Sequence, residues 1–279
     1  MEQHFETVIV PKTGLLDFGL KEVLKYRDLI FLFVKRNFVS QYKQTVLGPL
    51  WAIIQPLLTT VVFTVVFGRL AGLAADGVPS FLFYLCGTVA WSYFSACLTQ
   101  TANTFASNAG ILGKVYFPRL VMPVSTVLTN LISFAIQFSF FLCFAIFFWI
   151  KGSIRPNAYA LLLPFLLLHM AMLSFGVGVI VSSLTTKYRD LKMLVSFGVQ
   201  LWMYATPVAY DIGIVPEKYM TLYMMNPMTP IICTFRKAFL GIGDFDPGHY
   251  LISWVVTLAI LLLGLLLFNR VEKTFMDTV

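Results

Sequence analysis

The side chains of this chain that could do chemistry are few, because its long apolar runs contain almost no ionisable residue. His169 is the only one well inside such a run, whereas proton relays and ion-coupled transporters need Asp, Glu, Lys or Arg there. We expect His169 to pack or hydrogen-bond within a helix. The spacings HExxH and CxxC and any cluster of carboxylates are missing from the sequence, so no metal site is predicted.

The stretch 110–114 (Gly-Ile-Leu-Gly-Lys) resembles a phosphate-binding loop, but two required residues are missing. That motif needs glycine where Asn108 stands and Ser or Thr where Val115 stands. We therefore predict that the chain is not an enzyme, does not hydrolyse nucleotide and holds no cofactor of its own. Any energy for uphill transport would then arrive from another subunit.

The composition predicts a polytopic membrane protein. Of 279 residues, 58% are hydrophobic and 12% are charged, and Phe occurs 27 times. The charged fraction is about half the roughly 25% of an ordinary soluble domain. A soluble enzyme, a disordered chain and a disulfide scaffold are excluded. In a membrane protein, basic residues next to the spans set the topology. The net charge of +7 is therefore attributed to topology, and no nucleic acid partner is expected.

The uncharged runs predict an all-α fold with six membrane spans. A spanning helix needs about 20 apolar residues, and six runs reach or approach that length, the fifth only just. The predicted spans are about 48–68, 80–105, 121–149, 158–184, 193–210 and 249–269. They lie in a transmembrane domain over 44–270, between an N-terminal segment 1–43 and a tail 271–279.

The uncharged run 219–235 differs from the spans because prolines interrupt it. Asn226, Pro227 and Pro230 lie near its middle, and proline there breaks a helix. We predict two short half-helices that enter the membrane from one face and return, within a re-entrant region 212–235. A full crossing, which would move the C-terminus outside, is the less favoured alternative.

The distribution of basic residues predicts that both termini are cytoplasmic. With six spans and a cytoplasmic N-terminus, 14 of the 20 Lys and Arg residues fall on the cytoplasmic side, as the positive-inside rule requires. The first 14 residues are too polar for the apolar part of a signal peptide.

Two cytoplasmic segments combine apolar and basic residues in a way that is typical of docking surfaces. Residues 27–43 alternate apolar side chains with Lys35, Arg36 and Lys43, which predicts a basic helix lying in the membrane plane. It is either an orientation anchor or a docking surface. In the loop 106–119, a short helical piece ending at Phe117 would leave apolar side chains in need of a partner. A simple connector folded against the bilayer is the alternative.

Several short motifs occur in a fixed order along the chain. They are 27–29 (Arg-Asp-Leu), 35–36 (Lys-Arg), 42–44 (Tyr-Lys-Gln), 47–51 (Leu-Gly-Pro-Leu-Trp), 55–56 (Gln-Pro), 114–119 (Lys-Val-Tyr-Phe-Pro-Arg), 188–191 (Tyr-Arg-Asp-Leu), 205–210 (Ala-Thr-Pro-Val-Ala-Tyr) and 226–227 (Asn-Pro). Over about residues 25–270 the chain thereby resembles the membrane (permease) subunit of ABC-2-type polysaccharide exporters, which serve O-antigen, capsular polysaccharide and teichoic acid.

The resemblance implies an assembly in the bacterial inner (cytoplasmic) membrane. It would contain a second copy of the chain and two copies of a nucleotide-binding ATPase subunit, which would bind the ATP and Mg. The substrate would be a lipid-diphosphate-linked polysaccharide, and 212–235 would be the gate region. The resemblance assigns contact with the motor subunit to Lys35, Arg36, Lys114, Phe117, Pro118 and Arg119.

Aromatic and basic side chains are the candidates for contact with such a substrate. Sugar rings stack on Trp and Tyr, and the candidates are Trp51, Tyr84, Trp91, Trp202 and Tyr204. For each of them, an interfacial or lipid-facing position is the alternative. The basic residues Lys187, Arg189 and Lys192 could receive the diphosphate, although Arg189 could instead pair with Asp190. Amides such as Gln100, Asn130 and Gln137 would line a channel or join helices.

Three other functions stay open at this point. An ABC-2 exporter of a drug or simple lipid would share the same motifs. A polytopic membrane enzyme acting on lipid-linked glycans would need convergent Asp, Glu or His residues at a membrane face, and the sequence offers none. An assembly scaffold without transport activity would associate with no ATPase.

Overall fold

The computed structural model describes residues 20–75, 77–112, 114–185, 191–243 and 246–274. Within these ranges the chain forms ten α-helices and no strand, which confirms the predicted all-α class. The helices are α1 (Leu20–Lys25), α2 (Arg27–Tyr42), α3 (Trp51–Phe63), α4 (Ser80–Leu112), α5 (Val121–Ile150), α6 (Leu163–Thr185), α7 (Leu191–Tyr204), α8 (Glu217–Met224), α9 (Met228–Leu240) and α10 (Pro247–Thr274).

In the part of the chain that the structure describes, five helical segments are long and apolar enough to cross a membrane. They are Gly48–Leu70, Ser80–Asn108, Val121–Ile150, Ala158–Thr185 and Pro247–Arg270. The first includes a 3₁₀ turn before α3 and a π-helical turn after it, and the fourth includes a 3₁₀ turn before α6. Five of the six predicted spans are therefore confirmed as apolar helices of sufficient length.

The fifth predicted span is shorter as a helix than the sequence indicated. Helix α7 has 14 residues and ends at Tyr204, so it is about 21 Å long, against a hydrocarbon core of about 30 Å. Pro207 lies three residues beyond this end, and proline both lacks an N–H and disfavours helix in the residue before it. The prediction of one helix over 193–210 is therefore wrong in its last third, residues 205–210.

The interrupted run after α7 forms two short helices, as predicted. Helices α8 and α9 meet at residues 225–227. Pro227 directly precedes α9, and Pro230 lies in its first turn. N–H groups in the first turn have no intrahelical acceptor, so proline there costs no helical hydrogen bond. Helix α9 continues five residues past the predicted end at 235 and stops at Gly241, whose φ of +77° favours glycine.

Helix α4 is the centre of the main hydrophobic core. It contacts α3, α5, α6, α7 and α9, and its side chains Phe83, Tyr84, Phe94 and Leu98 are fully or almost fully buried. Aromatic rings meet edge to face across it, as between Phe94 and Trp202. Because neighbours surround α4, it has little surface left for contact with lipid or a ligand.

Glycines allow α6 to approach α4 and α10 closely. A Cβ at Gly178 would lie 2.6 Å from the Cβ of Thr101, and a Cβ at Gly264 would lie 2.7 Å from the carbonyl oxygen of Gly176. Small residues at such crossings let helix backbones pack together in a membrane.

We expect Gly178→Ala to destabilise the chain, because overpacking of a tight contact costs about 1–3 kcal/mol. Thermal unfolding of the detergent-solubilised protein measures this effect. Gly198→Ala is the matched control, because a Cβ at this exposed position of α7 meets nothing within 4 Å. Equal unfolding temperatures for the two variants would contradict the close approach of α6 to α4 at Gly178.

Candidate functional site

The two predicted docking segments pack against each other. Phe33 of α2 and Phe117 after α4 have ring centroids 5.7 Å apart. Both belong to a second buried cluster, here called the Phe33–Phe117 cluster. Its members are Val23, Ile30, Phe33, Val34, Phe105, Phe117, Leu120, Val121, Met122, Val179, Leu265 and Phe268. This cluster joins α1 and α2 to α4, α5, α6 and α10.

The expectation that Phe117 touches a motor subunit needs correction. Phe117 is 5% exposed, so its ring already packs against apolar side chains inside the chain. The helical piece that was predicted to end at Phe117 also ends earlier, since α4 stops at Leu112. Lys114, Val115 and Tyr116 are exposed, here called the exposed tip 114–116. Pro118 and Arg119 are partly buried, and Arg119 interacts with other groups.

Helix α2 confirms the predicted helix over 27–43 but is inclined along α5. Phe33 contacts Phe117, just before α5 begins, and the hydroxyl oxygen of Tyr42 lies 3.3 Å from that of Ser133. Ser133 is twelve residues beyond the start of α5, about 18 Å along its axis. Helix α2 therefore follows α5 for about three turns, whereas two helices that crossed at a steep angle would touch only near one point.

Arg36 forms a contact inside the chain and is only partly available to a partner. Its Nη2 donates to Oδ1 of Asn108 at 2.9 Å, and its guanidinium carbon lies 4.7 Å from the ring centroid of Phe33. Asn108 interrupts α4, with φ −119° and ψ 15°, and its Nδ2 donates to the carbonyl oxygen of Thr104 at 2.8 Å. Lys35, the neighbour of Arg36, is exposed. Arg36 therefore ties α2 to the kink in α4.

We expect Arg36→Met and Asn108→Ala to be non-additive, because both remove the same charge-assisted hydrogen bond. A hydrogen bond to a charged group contributes about 1.5–3 kcal/mol, and partial exposure lowers this value. Thermal unfolding of both single variants and the double variant gives the coupling energy, expected at about 1 kcal/mol. Lys35→Met, at the exposed neighbouring position, should leave stability unchanged. Strictly additive losses of stability would contradict the hydrogen bond between Arg36 and Asn108.

Asn226 connects the two short helices to the end of α7. Its Oδ1 accepts from Trp202 Nε1 at 2.9 Å and from the Met228 N–H at 3.2 Å. Its Nδ2 donates to the carbonyl oxygen of Ala205 at 3.1 Å and to Oγ1 of Thr206 at 2.9 Å. These four bonds use both donors of the amide and both lone pairs of its oxygen.

The two prolines of the interrupted run contribute backbone acceptors. The Ser253 hydroxyl of α10 donates to the carbonyl oxygen of Pro227 at 2.8 Å, and that of Thr234 donates to Pro230 at 2.7 Å. The first bond ties the start of α9 to α10. The gate residues predicted from the sequence therefore lie at a junction of helices.

His169 of α6 packs inside the protein, as expected from the sequence. It is fully buried, with Nε2 at 2.9 Å from Thr257 Oγ1 and 3.3 Å from Ser253 Oγ. Its ring stacks on Trp254 with centroids 4.2 Å apart. His169 thus joins α6 to α10 next to the bond between Ser253 and Pro227.

The five predicted channel aromatics do not share one surface. Tyr84 is fully buried and Trp91 is 6% exposed, both within α4, so neither faces an open path on this chain, and their prediction is wrong. Trp202 is half-buried and bonded to Asn226. Trp51 and Tyr204 are about half exposed, at 49% and 46%, and they remain candidates.

The amides join helices α4 and α5. Asn130 Nδ2 donates to Oε1 of Gln100 at 3.0 Å, and the Ser92 hydroxyl donates to Oε1 of Gln137. Polar groups in apolar surroundings need such partners. The helix-joining alternative therefore fits these three amides.

The predicted diphosphate contact falls mostly outside the described residues. Lys187 and Arg189 lie in the range 186–190, which the structure does not describe, and for Lys192 only the backbone, in the first turn of α7, is described. The contact stays a prediction.

Arg236 is the residue that the sequence analysis missed. The predicted topology leaves it between the re-entrant region 212–235 and the span 249–269, as an extracytoplasmic charge, but Arg236 is 3% exposed within α9. The available signal was the apolar sequence that surrounds the adjacent cations Arg236 and Lys237 in that helix.

Comparison with known proteins defines the class of this chain. The match to the family "ABC-2 type transporter" covers residues 28–240, and the chain belongs to this family. It is 27% identical to the O-antigen export system permease protein RfbA of Klebsiella pneumoniae over 251 residues, covering 90% of this chain and 94% of RfbA.

Two further relatives cover most of the chain. The RfbA protein of Myxococcus xanthus is 27% identical over 225 residues, covering 79% of this chain and 83% of the relative. The polysialic acid transport protein KpsM of Escherichia coli is 22% identical over 247 residues, covering 87% of this chain and 93% of KpsM.

Proposed function

We propose that this chain is the permease subunit of an ATP-driven exporter that moves a lipid-linked polysaccharide out of the bacterial cytoplasm across the inner membrane. The observation that carries the proposal is the family match over 28–240, with relatives named for O-antigen export and polysialic acid transport. These names favour a polysaccharide over a drug or simple lipid as substrate.

The working assembly contains two copies of this chain and two copies of a separate ATPase subunit. Membership in the ABC-2 family supports the ATPase partner, and ATP and Mg belong to that partner. For the contact between the two copies we propose the exposed apolar face of α7, which includes Met193, Leu194 and Phe197. Such faces in a membrane protein contact either lipid or another helix.

Six crossings with both termini in the cytoplasm complete the proposed topology. The five long helices supply five crossings, and α7 supplies the sixth together with the non-helical residues that follow it. Helix α2 then enters the membrane surface at an angle, because it follows α5, and does not lie flat as the sequence predicted. Helices α8 and α9 re-enter from the extracytoplasmic side.

The exposed tip 114–116 is the part of the loop best placed to contact the ATPase. Val115 and Tyr116 are 58% and 69% exposed, and exposed apolar side chains at a loop tip favour a partner's groove. Phe117 and Arg36, held inside, fix the tip relative to α2 and α4. Motion of the ATPase subunits would thereby reach α4, α5 and α10 through the Phe33–Phe117 cluster.

We expect Tyr116→Ala to weaken association with the ATPase about tenfold or more, because aromatic anchors carry much of the energy of an interface. Co-purification of the two subunits from membranes measures the association. Ile150→Ala is the control, since Ile150 is 80% exposed at the opposite end of α5. Equal association of both variants and the parent chain would contradict the docking role.

Deletion of the gene in its native host tests the proposed function. Polysaccharide should disappear from the cell surface and accumulate in the cytoplasm on its lipid carrier, and the intact gene should restore export. Unchanged surface polysaccharide would argue against the proposal. A defect in drug efflux alone would favour the other ABC-2 function.

A further inference from the structure

The residues after α7 leave helical geometry, and residues 206–209 among them are buried. Thr206 and Val208 are fully buried and Ala209 is 1% exposed, in the segment 205–211 between α7 and the 3₁₀ turn Ile212–Ile214. Non-helical backbone at membrane depth is tolerated only where its N–H and C=O groups find partners inside the protein. The segment 205–211 therefore needs donors from neighbouring elements.

Side chains of the two short helices, and of Asn226 between them, supply several of these donors. Asn226 donates to the carbonyl oxygen of Ala205. Arg236 of α9 donates through Nη2 to the carbonyl oxygen of Val208 at 2.9 Å and through Nη1 to that of Tyr210 at 3.2 Å. The hydroxyl of Tyr223 donates to the last carbonyl of α7 at 3.4 Å.

The position of Arg236 is shaped by its surroundings. The guanidinium carbon lies 3.7 Å from the ring centroid of Phe83, a cation–π contact. A Cβ at Gly87 would lie 3.1 Å from Nη2 and 3.2 Å from the Val208 carbonyl oxygen, so glycine leaves room for this hydrogen bond. Among the described residues no carboxylate lies at ion-pair distance from Arg236, and carbonyl dipoles therefore solvate its charge.

We propose that Arg236 and Asn226 are positioning residues that hold segment 205–211 in its non-helical path and so complete the fifth crossing. The proposal rests on the proposed topology of six crossings. Helix α7 is about 21 Å long, and seven non-helical residues extend the crossing by up to about 23 Å. Arg236 also connects this crossing to α4 through Phe83, and Asn226 connects it to the start of α9.

Site-resolved cysteine labelling in the assembled complex tests the proposal. Val208→Cys places a thiol on the buried segment, and native Cys97, fully buried in α4, reports any general loosening. The complex in membrane vesicles is treated with a maleimide, and mass spectrometry compares the labelling rates at positions 208 and 97.

We expect Arg236→Met to raise labelling at position 208 about tenfold and leave Cys97 unlabelled, because the carbonyls of Val208 and Tyr210 lose their donors and the segment opens locally. Asn226→Asp, which keeps the acceptors and loses the Nδ2 donors, should raise the same rate less. Arg236→Lys should restore protection only in part, because one ammonium cannot replace the planar fork. Lys218→Met, an exposed charge loss on α8, should label like the parent chain.

Parent-like protection at position 208 in both Arg236→Met and Asn226→Asp would overturn the proposal. A parallel rise at position 208 and Cys97 would also overturn it, since it would indicate a general role in stability. If Arg236→Met does not assemble, Asn226→Asp and Arg236→Lys decide by the same criteria. The labelling result does not depend on the substrate, so failure of polysaccharide export in the parent complex would reject the proposed function separately.

Discussion

The structure depends on one constraint, which is that a backbone break within an apolar protein must be hydrogen-bonded by the protein itself. Two breaks meet this requirement with side chains. At the kink in α4 the Asn108 side chain donates to the carbonyl oxygen of Thr104, and its Oδ1 accepts from Arg36 of α2. After α7 the segment 205–211 is held by Asn226 and Arg236. Each break is therefore also a joint between elements.

These joints connect the two ends of the molecule to the same central helix. Helix α4 carries the kink near its last turn, where the Phe33–Phe117 cluster lies, and Phe83 near its first turn, where Arg236 rests. Helices α6 and α10 run beside each other and share the bonds of His169 with Thr257 and Ser253. A movement applied at the exposed tip 114–116 thus has a packed route to the two short helices.

The sequence predicted much of the fold because length and apolarity alone decide whether a helix can span a membrane. Five spans and the interrupted helix pair followed from uncharged runs and prolines, and the range of α2 followed from alternating apolar and basic residues. The end of α7 was misjudged because the charge-free residues 205–210 were included in the predicted span. Their path depends on donors from α9, which local sequence does not reveal.

The candidate site was less predictable because it depends on contacts between distant residues. Phe117 looked available for a partner, but it packs against Phe33, far away in the chain. Tyr84 and Trp91 both lie on α4, within the predicted second span, yet helices surround α4 and bury both. Arg236 looked like a surface charge, because sequence alone does not show which carbonyl groups can solvate a cation.

The central claim is that this chain is a passive pathway driven by a separate ATPase, and reconstitution tests it most directly. Lipid-linked polysaccharide is placed in proteoliposomes that contain the chain alone or the chain with its ATPase, and its movement across the bilayer is measured with and without ATP. The account predicts ATP-dependent movement only when both subunits are present. ATP-dependent movement by the chain alone would contradict it.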